Sequence, residues 1–234
     1  MPAATRVLAA GDFHFPHEHK GAVDAFLGRV VSFRPHHILL MGDLADCTAI
    51  SRFSRAPGTP GLQAELEATR GFLGRLRLAI PAGCIVDIVE GNHERRLHKT
   101  LCENPGLYDL EELKWPNLLQ LDQELWHPYG ELARPTPKVG AYHGSLVRKH
   151  GAYTAKAERE KIGPAPQVLL TGHTHRFGLT STSDWGGTRT AVETGCMADP
   201  EQQDYTVGAP NWQVGWVEVV ARRTHPEITF RFAV

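Results

Sequence analysis

Short apolar runs recur along this chain, and each one leads into a small group of Asp, Asn or His residues. Runs of this length are typical of strands buried on both faces, as in a parallel sheet. The runs and the groups that follow them are Arg6–Ala10 with Asp12 and His14, Ile38–Met41 with Asp43 and Asp46, Ile85–Glu90 with Asn92 and His93, Val139–Tyr142 with His143, and Val168–Thr171 with His173 and His175. The pattern predicts five strand ends that converge on one site.

Segments with helical spacing separate the first of these strands. Apolar residues recur at intervals of three and four positions in His19–Phe33 and in Leu62–Leu78, as on one face of a helix. Pro35 ends the first of these helices, because proline cannot continue one. Ala152–Ile162 predicts another helix, and one is expected to begin near His93. A strand, a helix and a second strand in this order indicate parallel crossover units.

The second half of the chain is less regular. Leu107–Lys138 predicts a short helix at Tyr108–Lys114, a strand at Leu118–Leu121 and otherwise a loop that crosses the surface. Because loops on a fixed scaffold carry function, we expect substrate-specific or partner-specific structure in this segment. Four short runs rich in Thr, Val and Trp predict antiparallel strands near the C-terminus: Leu179–Asp184, Thr188–Glu193, Gln213–Val220 and Ile228–Phe232.

Composition sets broad limits on the class of protein. No linker divides the 234 residues, and their 41% apolar content suits a single domain spanning 1–234. The formal net charge of −1 does not indicate a protein that coats nucleic acid, although it leaves a small nucleotide substrate open. Four cysteines without short paired spacing are expected to be reduced thiols. Without a signal segment or a run of roughly 18 apolar residues, we expect a cytoplasmic protein with no membrane partner.

Seven side chains at the predicted strand ends carry oxygen or nitrogen donors. They are Asp12, His14, Asp43, Asn92, His143, His173 and His175. Such donors suit Mn, Fe, Zn, Co or Ni and differ from the thiolates of structural zinc sites. Seven ligands exceed the needs of one tetrahedral ion but suit two ions about 3.5–4 Å apart, the arrangement used for phosphoryl chemistry. Each motif alone occurs by chance, so the prediction depends on their joint position after buried strands, where α/β sheets place their sites.

Together the motifs resemble those of the calcineurin-like metallophosphoesterases. The matching segments are Asp12-X-His14, Gly42-Asp43-X-X-Asp46, Gly91-Asn92-His93-Glu94, His143-Gly144 and Gly172-His173-X-His175. The resemblance implies an α/β fold, a four-layer αββα sandwich of two mixed β-sheets flanked by helices. It also implies a dinuclear metal site at the carboxyl ends of the strands, with Mn as the expected metal and Fe, Zn, Co or Ni as alternatives.

The resemblance further implies a role for each site residue. The implied ligand sets are Asp12, His14 and His175 for one ion and Asn92, His143 and His173 for the other, with Asp43 bridging the two. His93 would then donate a proton to the leaving oxygen or stabilise the transition state. Asp46 would hold the His93 ring in place.

The chain departs from one branch of this family at the second motif. Protein Ser/Thr phosphatases continue that motif with Arg-Gly, whereas Cys47-Thr48 stands here. Since that branch uses the arginine to bind phosphate, its absence argues against protein dephosphorylation. Another guanidinium can replace it, because guanidinium groups bind phosphate oxygens bidentately. The predicted substrate-binding residues are Arg52, Arg95 and Arg176, with Arg55 and Arg96 as further candidates.

The predicted activity is hydrolysis of a phosphodiester by a metal-bridging hydroxide, with His93 assisting the leaving group. The expected substrate is a small phosphoester or nucleotide, as for the small bacterial or phage phosphodiesterases and phosphatases of this superfamily. The alternatives are a phosphomonoesterase, a nuclease that acts on DNA or RNA ends, and a metal-binding scaffold without catalysis. The near-zero charge argues against the nuclease, and the full ligand set argues against the scaffold. Trp212 and Trp216 could stack a base, but positions in the core or a sheet are the favoured interpretation.

Overall fold

The computed structural model describes residues 4–54, 57–202, 210–222 and 226–233. Its strands are β1 (Ala4–Ala10), β2 (His37–Leu40), β3 (Ile85–Val89), β4 (Leu125–His127), β5 (Ala133–Thr136), β6 (Val139–Ala141), β7 (Val168–Thr171), β8 (Phe177–Asp184), β9 (Gly187–Thr194), β10 (Gly215–Arg222) and β11 (Pro226–Phe232). Its α-helices are α1 (Lys20–Phe33), α2 (Leu62–Ala79), α3 (Arg95–Glu103), α4 (Trp115–Leu118) and α5 (Gly151–Ile162). Within these ranges, no helix has both the length and the apolar character that crossing a bilayer requires.

The strands form two mixed sheets. The first has the order β11-β10-β1-β2-β3-β4, in which β1 to β4 are parallel, β10 pairs antiparallel with β1, and β11 pairs antiparallel with β10. The second has the order β5-β6-β7-β9-β8, in which β6, β7 and β9 are parallel and the two edge strands are antiparallel. Each sheet therefore has a parallel centre whose strands present their carboxyl ends on the same side.

Successive residues of the central strands face different layers of the molecule. On β2, Leu40 packs with residues of α1 and α2, whereas its neighbour Leu39 packs against the second sheet. On β7, Leu170 packs against the first sheet, whereas Leu169 packs with Ala155 of α5. The layers are therefore helices, sheet, sheet and helix. This arrangement confirms the four-layer αββα sandwich predicted from the sequence.

The predicted strand at Leu118–Leu121 is wrong. The chain forms the helical turn α4 up to Leu118, and the strand that extends the first sheet is β4, at Leu125–His127. Pro116 lies in the first turn of α4, a position at which the fixed φ of proline favours a helix. Leu119 is buried by this turn. Its apolar character thus reflects packing below a helical turn and not the alternation of a strand.

Three further elements differ from the prediction. Tyr108–Lys114 forms turns with a 3-10 helix at Glu111–Leu113 in place of one short helix. The segment interpreted as a surface loop contains β5, which pairs with β6 through an irregular register. The pattern predicts antiparallel neighbours for β9, yet this strand pairs antiparallel with β8 and parallel with β7. The last two differences concern long-range strand pairing, which local sequence does not specify.

Candidate metal centre

The backbone turns into the left-handed region directly after several strands. Among the predicted metal ligands, φ is positive for a subset: Asp12 at 53°, His14 at 52°, Asp43 at 50°, His173 at 79° and His175 at 60°. Non-glycine residues adopt this conformation infrequently, and it costs about 1–3 kcal/mol at each position. Such strain collects at functional sites. The turns direct the side chains together at the carboxyl edge of the two sheets.

One donor group joins the end of β1 to the turn after β7. The Nε2 atoms of His14 and His175 lie 3.1 Å apart, and His175 Nε2 lies 3.3 Å from Asp12 Oδ1. All three side chains are buried. The backbone N–H of His173 donates to both oxygens of Asp12 at 3.1 Å, which fixes the orientation of the carboxylate.

A second donor group lies around Asp43. Its Oδ2 atom lies 3.3 Å from His143 Nε2, and the same nitrogen lies 2.9 Å from Asn92 Oδ1. His173 completes a set with Asp43 and His143 whose ligand atoms all lie within 4.8 Å of one another. Asp43 Oδ2 also lies 3.9 Å from His14 Nε2 of the first group. The structure thus brings the seven predicted ligands together, with Asp43 between the two groups.

The hydrogen bonds behind these ligands test whether the set fits divalent cations. His143 Nδ1 lies 2.8 Å from the Met41 carbonyl oxygen and donates to it. In the neutral ring Nε2 is then an acceptor, and it faces acceptor oxygens of Asp43 and Asn92. Burial lowers the pKa of His143, but the Asp43 charge outweighs burial and raises it to about 10. Either a proton on Nε2, as this raised pKa indicates, or a metal ion satisfies lone pairs that face one another in this way, so the donors fit a divalent cation that displaces the proton.

The ring of His14 is oriented by a carboxylate, whereas that of His143 is oriented by a backbone carbonyl. Its Nδ1 lies 2.8 Å from Asp46 Oδ1, so its Nε2 faces the donor group. Burial and the charge of His93 lower the pKa of His14 to about 4. A neutral imidazole is the form that binds metals. The Nδ1 atom of His175 is buried and makes no hydrogen bond with the described residues.

Glu94 is a functional residue that the sequence interpretation left without a role. Its buried carboxylate accepts four backbone N–H groups, from Gly91 and Asp43 on Oε2 at 2.9 Å each and from Leu44 and Ala45 on Oε1 at 2.6 and 3.0 Å. Burial and the Asp43 charge raise the pKa of Glu94, whereas the four donors favour its charged form. Glu94 thereby fixes the turn that presents Asp43. Its place in the Gly91-Asn92-His93-Glu94 motif was the available signal.

Gly91, in the turn after β3, packs closely against the turn after β2 that carries Asp43. A Cβ atom at this position would lie 2.1 Å from Asp43 Oδ1 and 2.3 Å from the Asp43 backbone nitrogen. We expect Gly91→Ala to displace Asp43 and weaken Mn²⁺ binding by roughly tenfold or more, as for other changes behind metal ligands. Isothermal titration of the metal-stripped protein with Mn²⁺ measures this effect. Gly28→Ala is the matched control, because a Cβ there meets nothing within 4 Å; equal affinity in both variants would contradict the prediction.

His93 and Asp46 lie together, but their contacts differ from the expected ones. Asp46 Oδ1 lies closer to His14 Nδ1, at 2.8 Å, than to His93 Nδ1, at 3.3 Å. The His93 ring is held chiefly by the backbone carbonyl of Asp46, which accepts from Nδ1 at 2.6 Å. Burial lowers the pKa of His93, but the charges of Asp43 and Asp46 outweigh it and raise the pKa. Asp46 therefore supports a predicted ligand and the predicted acid at once.

A cavity of about 1060 Å³ opens over the centre, and the three predicted substrate-binding arginines do not line it. The guanidinium of Arg52 lies over the Phe53 ring, and that of Arg95 lies over the Tyr129 ring at 4.5 Å. Arg176 donates to the carbonyls of residues 148 and 149. Arg55, the fourth candidate, lies outside the described residues.

Arg96 is the arginine that lines the cavity. Its Nη1 donates to the Asp46 carbonyl at 2.8 Å, and its Nη2 donates to His93 Nε2 at 2.9 Å. His93 lies in the turn before α3 and Arg96 in the first turn of that helix, and the Arg96 backbone N–H donates to the His93 carbonyl at 3.0 Å, which brings the two side chains together. The spacing of His93 and Arg96 in the sequence is compatible with this contact, but it does not by itself distinguish Arg96 from its neighbour Arg95.

A buried glutamate lies behind the turn that carries His173 and His175. Glu193 on β9 accepts from the hydroxyls of Thr171, at 2.6 Å, and Thr174. Burial raises the pKa of Glu193 from 4.5 to about 8. The protonated form is therefore favoured in the folded state. Its contribution to stability is complete below pH 4.5 and is lost as pH rises through 8.

Glu193→Gln is expected to change this dependence on pH. The native chain should lose about 3–4 kcal/mol in free energy of unfolding between pH 5 and pH 9 as Glu193 loses its proton. The amide stays neutral, so the variant should not show this loss. Urea unfolding of metal-stripped protein at both values measures the difference. Glu112→Gln, at an exposed position, is the control and should follow the native chain. If the difference in free energy of unfolding between the native chain and Glu193→Gln were the same at both pH values, the raised pKa of Glu193 would be refuted.

The chain has measurable similarity to known proteins. Residues 5–177 match the family model for calcineurin-like phosphoesterases. The Gene 54 protein of Mycobacterium phage D29 is 28% identical over 244 residues, covering 95% of this chain and 92% of the phage protein. The Gene 54 protein of Mycobacterium phage L5 is 26% identical over 243 residues with the same coverage of 95% and 92%. Vps29 of Chaetomium thermophilum aligns with a TM-score of 0.52 at 15% identity over 99% of this chain and 100% of that chain, which shows a shared fold alone.

Proposed function

The chain belongs to the calcineurin-like phosphoesterase family, and we propose that it is a metal-dependent hydrolase that cleaves phosphodiester bonds. The observation that carries this proposal is the convergence of two donor groups on Asp43 beneath an open cavity. His93 and Arg96 line the same cavity. A site with metal donors, a proton donor and a guanidinium is equipped for hydrolysis of a phosphoric ester.

The proposal includes two ions. Asp12, His14 and His175 would hold one of them. The other would be held by Asn92, His143 and His173, and Asp43 would be shared. Divalent cations at these positions would polarise the phosphorus–oxygen bonds and lower the pKa of a bound water to near neutrality. Mn²⁺ is the proposed metal, although the oxygen and nitrogen donors also suit Fe, Zn, Co or Ni.

The remaining residues of the centre have separate tasks in this proposal. Arg96 lies at hydrogen-bonding distance from His93 Nε2, so a phosphate oxygen that reaches this nitrogen also reaches the guanidinium. In its protonated form, His93 would donate the Nε2 proton to the leaving oxygen, which would take the place of Arg96 Nη2 as the partner of that nitrogen, while Nδ1 stays bonded to the Asp46 carbonyl. The Asp46 carboxylate keeps the rings of His14 and His93 in register with each other.

The charge of the cavity favours a diester over a monoester. Arg96 is the one Arg or Lys among the described lining residues. A phosphomonoester carries about −1.5 to −2 charges at pH 7, whereas a diester carries one. Beyond the two proposed cations, which would bind either ester, the described lining offers a single guanidinium, and this matches the lower charge of the diester. The monoesterase, the nuclease and the non-catalytic scaffold are the alternatives to this proposal.

Removal of the metal tests the proposal directly. We expect chelator treatment to lower hydrolysis of bis-p-nitrophenyl phosphate by about a hundredfold and Mn²⁺ to restore it, because the donors alone supply no activated water. Mn²⁺ should also raise the melting temperature of the stripped protein by mass action. The control substrate is p-nitrophenyl phosphate. Preference for this monoester would replace the diesterase with a phosphatase, and metal binding without hydrolysis of either ester would favour the scaffold.

A further inference from the structure

The cavity continues beyond the metal centre into a second region, called here the outer pocket. The residues that define it are Ser51, Phe53, Ser54, Thr59, Gln202 and Trp212. They come from the loop before α2 and from two segments that follow β9. The whole cavity, at about 1060 Å³, is far larger than a phosphate group and reaches the upper end of typical ligand sites. A substrate that fills it must carry a sizeable group beside its phosphate.

The six residues that define the outer pocket have uncharged side chains, and the Arg52 guanidinium packs against the Phe53 ring at the border of the pocket. None of the described residues that define it is Asp, Glu, Lys or Arg. Hydroxyl and amide groups of Ser51, Thr59 and Gln202 provide hydrogen-bond donors and acceptors instead. A nucleic-acid strand or a polyphosphate needs cationic contacts along its backbone. The lining therefore matches an uncharged group that has polar edges.

Two aromatic side chains in the outer pocket provide stacking surfaces. Phe53 is 66% exposed, an unfavourable state for a large apolar side chain, and the Arg52 guanidinium lies 5.1 Å from its ring centroid. Trp212 is half-buried, and its ring centroid lies 4.1 Å from that of His175. Trp212 thus links the outer pocket to a predicted metal ligand. Phe53 and Trp212 line the same cavity as Asp43 and His93, so a planar aromatic group attached to a phosphate at the centre would enter the space that both rings border.

We propose that the outer pocket binds the nucleoside of a nucleotide phosphodiester, with the base stacked on Phe53 and Trp212. This inference rests on the proposed function, because it places the phosphate at the metal centre. Stacking on aromatic side chains tolerates every base and stabilises binding enough to change affinity several-fold per contact. Serine, threonine and glutamine side chains supply partners for the sugar hydroxyl and the base edge. The substrate is a single nucleotide ester and not a strand.

The test compares two diesters that share one leaving group. Thymidine 5′-(p-nitrophenyl phosphate) carries a nucleoside, whereas methyl p-nitrophenyl phosphate carries a methyl group in its place. We expect the Mn²⁺-loaded native protein to prefer the thymidine ester by about tenfold in kcat/KM, and Phe53→Leu and Trp212→Leu each to lower that preference about fivefold. Trp185→Leu, at a fully exposed hairpin tip, is the matched control and should keep it. Unchanged preference in a folded Phe53→Leu protein would overturn the assignment.

A second measurement separates this inference from the proposed function. Isothermal titration with thymidine 5′-monophosphate reports binding without hydrolysis. If neither ester is cleaved, yet Phe53→Leu binds this nucleotide several-fold more weakly than the native protein and the Trp185→Leu control, the outer pocket stands and the hydrolase proposal fails. If both esters are cleaved equally by the native protein, the hydrolase proposal stands and the nucleoside assignment fails. Replacement of Trp212 by Phe should restore the preference that Trp212→Leu loses.

Discussion

Replacing Asp43 by Asn is expected to lower kcat/KM for bis-p-nitrophenyl phosphate by about a thousandfold, equivalent to about 4 kcal/mol in the transition state. Its carboxylate is the acceptor common to both donor groups, 3.3 Å from His143 Nε2 and 3.9 Å from His14 Nε2. The amide of the replacement carries no negative charge and cannot be shared by two cations in the same way. Steady-state kinetics with excess Mn²⁺ measures the loss.

Folding and metal content distinguish this effect from a general disruption. In the native chain the His93 backbone N–H donates to Asp43 Oδ1 at 2.8 Å, and the amide oxygen of the Asp43→Asn protein can still accept this bond. We therefore expect an unchanged circular dichroism spectrum together with loss of at least one bound Mn²⁺ per chain. Asp24→Asn, at an exposed carboxylate paired with Arg75, is the control. Activity of the Asp43→Asn protein within tenfold of the native value would remove Asp43 from its proposed role.

Replacing Glu94 by Gln is expected to destabilise the folded protein almost as much as replacing it by Ala, by about 4 kcal/mol. Both carboxylate oxygens accept two backbone N–H groups, from Gly91 and Asp43 on one side and from Leu44 and Ala45 on the other. An amide presents N–H groups to one of these pairs, so donors would face donors in a buried site. Although Gln and Glu have similar shapes, Glu94→Gln should therefore destabilise the fold.

Urea unfolding of the metal-stripped proteins measures this second effect. Glu103→Ala, at the exposed end of α3, is the control and should stay within about 0.5 kcal/mol of the native chain. If Glu94→Gln costs less than about 1 kcal/mol, the four N–H groups have found other partners. Glu94 would then be a dispensable neighbour of Asp43.

The convergence of the seven predicted ligands could be foreseen because their signal is local. Each follows a buried strand within a few residues, and parallel strands of one sheet end at one edge. The roles of the arginines could not be predicted in this way. Arg95 and Arg96 are adjacent in sequence, yet one packs on Tyr129 and the other lines the cavity. The rotation of α3 about its axis decides between them, and that rotation depends on packing that the sequence does not display.

The same distinction explains the other differences from expectation. The apolar residues near Leu119 are compatible with a strand or a helical turn, and Pro116 favours the turn. The sequence favours a core or sheet position for both tryptophans, but Trp212 lines the cavity, whereas Trp216 is buried on β10 as expected. Trp212 reaches the cavity from a segment that contains no motif. Its position follows only from the docking of the C-terminal strands beside the turn after β7.

The contact between His14 and His175 has a consequence for the order in which the protein matures. Their Nε2 atoms are 3.1 Å apart although 161 positions separate them in sequence. Both donor groups also include a histidine from the turn at 172–175. A nascent chain that has not yet released this turn from the ribosome therefore has neither group complete. The two donor groups described above can therefore be complete only after most of the protein has been synthesised and its two sheets have docked.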